Sequence, residues 1–130
     1  MIQELMIINC SGIAVFHHSF IDSNDVRDQQ SLASYFDIIR KFTQQSFKQS
    51  LRMITLDRLI FFFFNHQSNY NLVFKCDNKE FDKKLLEDIA NRIADDFLIR
   101  YNERLSNFNG EISYFKPFSE VVKSYVLTEI

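Results

Sequence analysis

Apolar and polar positions alternate along the chain in a way that divides it into eight segments. Leu5, Met6, Ile7 and Ile8 are apolar in succession and stop at Asn9-Cys10-Ser11-Gly12, where Gly12 supplies the permissive backbone of a turn. Residues 13 to 20 form a second β-rich run with Val15, Phe16 and Phe20, so the pair predicts a hairpin. Residues 21 to 28 are polar and acidic, and Asp22, Ser23, Asn24 and Asp25 suit a turn or a helix cap. From 29 to about 46, Leu32, Tyr35, Phe36, Ile39 and Phe42 step by three and four. Gln30, Ser34, Asp37, Arg40, Lys41 and Gln44 occupy the other side. The spacing predicts an amphipathic helix about five turns long.

Leu51, Met53, Ile54 and Leu56 predict a third strand, Asp57-Arg58 a tight turn, residues 59 to 64 a fourth strand and residues 70 to 76 a fifth. The fourth carries most information. Alternate side chains of a strand point to opposite faces, and Leu59-Ile60-Phe61-Phe62-Phe63-Phe64 offers no polar face. Both faces must be covered by helical layers, because left bare such a run would pair with other chains. Asp77 and Glu80 have capping-box spacing and predict a helix from there to about residue 105. Phe81, Leu85, Ile89, Ile93, Phe97, Tyr101 and Leu105 form one apolar column, with Leu86, Ala90, Ala94 and Leu98 beside it. Glu80, Lys84, Asp88, Arg92, Asp96 and Arg100 alternate in sign on a solvated face, each pair contributing about 0.2 to 0.5 kcal/mol. Gly110 suits the end of that helix. Pro117 suits the first turn of a last one with Phe118, Val121, Val122, Tyr125 and Val126 on one face. The order is ββαβββαα.

With 130 residues, 46% of them hydrophobic and 25% charged, the chain reads as a single domain over residues 1–130. Two glycines and one proline exclude collagen-like and linker-rich classes, and a net charge of -2 provides no basic field for nucleic acid or an anionic membrane. The first residues lack the basic start of a secretory signal, and the longest apolar run falls far short of the ~20 residues of a membrane span. Cys10 and Cys76 read as free thiols of a reducing, cytoplasmic compartment.

Candidate chemistry is sparse. His17 and His18 point to opposite faces of a strand and cannot readily share a metal, so no metal site is expected. Cys10 and Ser11 beside Gly12 lack any nucleophile motif, and Asp95 and Asp96 diverge by about 100° on a helix, too far to share a proton. Asp22 and Asp25 lack the alternating oxygen ligands of a calcium loop. Two glycines do not build a phosphate loop, so a nucleotide-hydrolysing or kinase role is excluded and no cofactor is expected. The chain is expected to act by contact.

The element order, the hairpin Ile8-Asn9-Cys10-Ser11-Gly12-Ile13-Ala14-Val15-Phe16, the helix at 29–47 and the meander to Cys76 resemble the longin domain. Phe108-Asn109-Gly110 and Phe115-Lys116-Pro117-Phe118 resemble the junction of the last two helices in small archaeal longin proteins. The resemblance implies an α+β, longin/profilin-like three-layer α-β-α fold: a five-stranded antiparallel sheet with one helix on one face and two on the other. It also implies a non-enzymatic role. Longin domains occur in vesicle SNAREs, adaptor small subunits, tethering complexes, the signal-recognition-particle receptor and exchange factors for small GTPases. No coiled-coil heptad follows Ile130, so the expectation is a stand-alone module that forms a homodimer or pairs with a longin/roadblock paralogue. Such a module would serve as a platform for a small Ras-like GTPase in membrane trafficking or signalling, reaching membranes only through partners. Expected contacts lie on the first helix, at Gln29, Ser34, Asp37, Arg40 and Lys41 as exposed positions, and on the outer strands at His17, His18 and Arg52. The rival readings are a profilin-like or ligand-sensing domain for a small molecule or peptide, and an enzyme with an unrecognised site.

Overall fold

The computed structural model describes residues 2–21, 28–66, 69–78 and 82–129, with side chains to residue 126. It has two compact units, Met1–Glu80 and Phe81–Ile130. The first contains β1 (Ile2–Ile8), β2 (Ala14–Ser19), α1 (Gln29–Phe47), β3 (Met53–Thr55), β4 (Leu59–Asn65) and β5 (Asn71–Asp77). The second contains α2 (Lys83–Ser106), a 3-10 turn (Ile112–Phe115) and α3 (Phe118–Glu129). The fold is α+β with the order ββαβββαα, and its sheet is antiparallel with strand order β2-β1-β5-β4-β3.

The first hairpin closes on Asn9, whose side-chain oxygen accepts from Ser11 N and Ile13 N, both at 3.0 Å. Gly12 takes φ +80° in that turn, and the β1–β2 register shifts at Ile7/Ile8 to absorb a bulge. Asp28 caps α1 by accepting from Gln30 N and Ser31 N, and Lys48 ends the helix in the left-handed region. The Gln30 side chain both accepts from Ala14 N and donates to Ala14 O, each at 2.9 Å, which fixes the first turn of α1 on the start of β2.

β4 is buried on both sides at Phe61, Phe62 and Phe63, as its apolar run requires, and Phe64 is half-buried. Phe61 and Phe63 meet the Phe36 ring of α1 at 5.1 and 5.2 Å, among Met6, Ile8, Ala14, Ala33 and Val73. Phe62 is 1% exposed on the opposite side, where Phe64 meets Phe74 edge-on at 5.8 Å. Burying one such side chain contributes roughly 1.5–3 kcal/mol.

Three details depart from the sequence reading. β3 is shorter than expected, although its flanks stay bonded: Arg52 O accepts from Phe63 N, and Leu56 N donates to Leu59 O. The cap of α2 is Asp82, accepting from Lys84 N and Leu85 N, whereas Asp77 pairs with Leu59 as the last residue of β5. Glu80 and Phe81, expected in the helix, lie outside the described residues. On α1, Ala33 and Phe36 are buried, but Tyr35 (55% exposed) and Phe42 (62%) are not.

Of the α2 columns, Leu86, Ile89, Ala90, Ile93, Ala94 and Phe97 are buried, Leu85, Leu98, Tyr101 and Leu105 are half-buried, and Phe81 lies outside the described residues. The helix leaves regular geometry at Tyr101, whose ring packs with Phe97, Phe115 and Phe118 at 5.2 to 5.9 Å. Tyr125 of α3 donates its hydroxyl to Asp96 at 2.9 Å, and this bond raises the phenol pKa. No described helix is long and apolar enough to cross a membrane.

Candidate interaction surface

Asp37, Arg40 and Lys41 sit one turn of helix apart or less, so they can meet one another. Asp37 accepts from Lys41 Nζ at 2.7 Å and from an Arg40 guanidinium nitrogen at 3.3 Å, and Lys41 Nζ also donates to Cys10 O at 3.1 Å. A Cβ on Gly12 would stand 3.0 Å from Asp37 Oδ2. The group therefore latches the middle of α1 under the hairpin turn. This corrects the expected exposure of Asp37, which is 8% exposed, and of Arg40, which is half-buried. A carboxylate can be buried there because two cations accompany it.

The remaining sequence candidates separate. Ser34 and Arg52 are exposed, but Gln29, expected to be exposed, is half-buried because its side chain turns into the sheet-side recess. His17 lies opposite Met6 and His18 opposite Leu5, so the two rings take opposite sides of the sheet as expected. His17 Nε2 lies 3.0 Å from Glu4 Oε1, whose other oxygen accepts from Lys75 Nζ at 2.9 Å. Gln29, Leu32 and Phe36 of α1 face a small recess with Glu4, His17 and Lys75, and the Gln29 side-chain oxygen is buried with no partner among the described residues. His18 instead stands edge-on to Phe20 at 4.6 Å. Among the described residues, no three His, Cys, Asp or Glu side chains are grouped to hold a metal.

The surface that sequence reasoning missed is apolar. Tyr35, Ile38 (66% exposed) and Phe42 recur at intervals of three and four on a side of α1 turned away from Asp37. Phe42 meets Phe47, itself 63% exposed, with ring centroids 6.3 Å apart. Met53 and Leu56, on and just after the edge strand β3, are also exposed. Because Arg52 O and Leu56 N bond toward β4, alternation turns the backbone groups of Met53 and Thr55 outward. One signal was available: Ile38 lies off the predicted apolar face and has no place in a one-sided helix.

No protein-family model and no curated protein matches the chain by sequence. Among solved structures, the gliding protein MglB from Thermus thermophilus is similar, with a TM-score of 0.50 and 13% identity. The match covers 58% of this chain and 61% of that one, less than two thirds of either. At that identity the likeness is one of fold alone.

Proposed function

We propose that residues 1–130 form a single longin-like interaction module without catalytic activity, which forms a homodimer or pairs with a longin/roadblock paralogue. It presents a platform to a small Ras-like GTPase in membrane trafficking or signalling. The observation that supports this most is the exposed stripe Tyr35–Ile38–Phe42 with Phe47 on α1; Met53 and Leu56 are a second exposed apolar pair at the β3 edge. Single exposed apolar residues are ordinary surface, but several large ones repeated along one helix side mark a contact. An edge strand adds outward backbone groups that a second strand can pair with.

On this reading the sequence candidates take different parts. Ser34 and Arg52 border the contact, and Gln29, His17 and His18 stand at the other end of the sheet. Asp37, Arg40 and Lys41 hold the helix that carries the stripe.

Sedimentation of the purified chain across micromolar concentrations, with capture of small GTPases loaded with GDP or a GTP analogue, tests the proposal. A dimer that retains a GTPase in one nucleotide state is expected. A strict monomer that retains neither a GTPase nor a paralogue would overturn it. The profilin-like, ligand-sensing alternative draws on the recess beside Gln29, whose oxygen has no partner among the described residues and can receive a donor. Stabilisation by a small metabolite in a thermal-shift screen, abolished in Gln29→Ala, would favour it.

A further inference from the structure

The connection between α2 and the 3-10 turn holds the chain's single Asn-Gly pair, Asn109-Gly110. Both residues are exposed. Gly110 has φ +94°, and a Cβ built on it would meet nothing within 4 Å, so the space beside its Cα is open. The Asn109 side-chain oxygen accepts from Glu111 N at 3.1 Å. That bond closes a ring through Cγ, the Asn109 backbone and the Gly110 nitrogen, folding the side-chain carbonyl back over the peptide that follows it.

We propose that Asn109 is a site of spontaneous deamidation in the folded protein. The Gly110 amide nitrogen loses its proton to solvent base and attacks Asn109 Cγ. A C–N bond forms, the C–NH2 bond breaks, and ammonia leaves to give a cyclic imide. Water then adds to one of the two imide carbonyls, yielding aspartate or, when the backbone carbonyl is attacked, isoaspartate. No electrons are transferred. The Glu111 N–H that polarises the Cγ carbonyl also stabilises the oxyanion formed during attack.

Sequence and local geometry make the position selective. Glycine presents no side chain to hinder the attack, whereas each of the other asparagines precedes a residue with a Cβ. Asn107 offers an internal contrast: its side-chain amide donates to Glu103 O, turning Cγ back toward the helix, and Phe108 follows it. The product also matters structurally. Glu111 caps the 3-10 turn through Ser113 N and Ser113 Oγ, and that turn carries the buried Phe115 into the Phe97–Tyr101–Phe118 cluster. A new carboxylate two residues before Glu111, or the extra backbone carbon of isoaspartate, changes that approach irreversibly.

The test is timed incubation of the full chain at mildly alkaline pH, native and in denaturant, followed by peptide mapping and enzymatic methyl labelling of isoaspartate. The expected result is replacement of –NH2 by –OH at Asn109 in the native chain at a rate at least equal to that in denaturant. Asn107 should stay intact, and the modification should be lost in Asn109→Gln. Reaction at Asn109 in the denatured chain alone, or equal modification of Asn109→Gln, would overturn the proposal.

Discussion

A single hydrogen decides whether Gly12 fits. Replacing it by alanine places a Cβ 3.0 Å from Asp37 Oδ2 in a residue held at φ +80°. Gly12→Ala should cost about 1–3 kcal/mol in denaturant unfolding. In an Asp37→Ala background the backbone strain and the 3.3 Å approach to the residue-37 Cβ remain but the carboxylate contacts go, so the same substitution should cost less; equal costs would mean the latch has no part in it. The two thiols give a second test at this scale. Burial pushes the Cys76 pKa up to about 11, while Cys10 is exposed in the hairpin turn. Alkylation of the native chain near pH 8 should therefore modify Cys10 alone, with Cys76 reacting only after unfolding. The sign of the linked stability follows: a raised folded pKa leaves stability intact below about pH 9 and removes it as pH climbs toward about 11.

At the scale of elements, capping is the local term most open to measurement. Asp82 alone satisfies Lys84 N and Leu85 N at the start of α2, so Asp82→Ala should lower stability by about 0.5–2 kcal/mol. Asp77→Ala should leave the helix start unaffected, and a loss of α2 helicity in that variant would return the cap to Asp77. By local rules the two aspartates compete equally. Pairing of Asp77 with Leu59 across the sheet decides between them, and pairing is non-local. The same division runs through the whole reading. The strand at 59–64 was legible because a period of two with apolar residues on both faces admits one environment. Helix α1 was legible as a helix, but three-and-four spacing tells which positions share a side and not which of two apolar sides is taken. Phe36 took the sheet while Tyr35, Ile38 and Phe42 stayed outside. Asp37 read as surface because its partner Lys41 is held in turn by Cys10 O of the hairpin turn, which a scan along the helix cannot see.

At the scale of the whole molecule, the proposed dimer makes a demand that folding does not. Ile38 is 66% exposed, so Ile38→Glu should change the stability of the isolated chain by no more than about 0.5 kcal/mol. In an interface, the same change places a carboxylate within an apolar contact and should weaken association at least ~10-fold, or ~1.4 kcal/mol. Phe42→Ala should act in the same direction through lost contact area, since large aromatic side chains dominate such surfaces. Lys84→Glu, exposed on α2, should leave association unchanged. Sedimentation of the four proteins separates the cases, with unfolding curves run in parallel. A dimer lost in Ile38→Glu with its unfolding midpoint preserved would place the contact on α1. Undiminished association in both α1 variants would remove this helix from the interface and leave the edge of β3 to account for any dimer. In that event Met53→Pro is the sharper probe, because it withdraws an outward-facing N–H that a pairing strand would use.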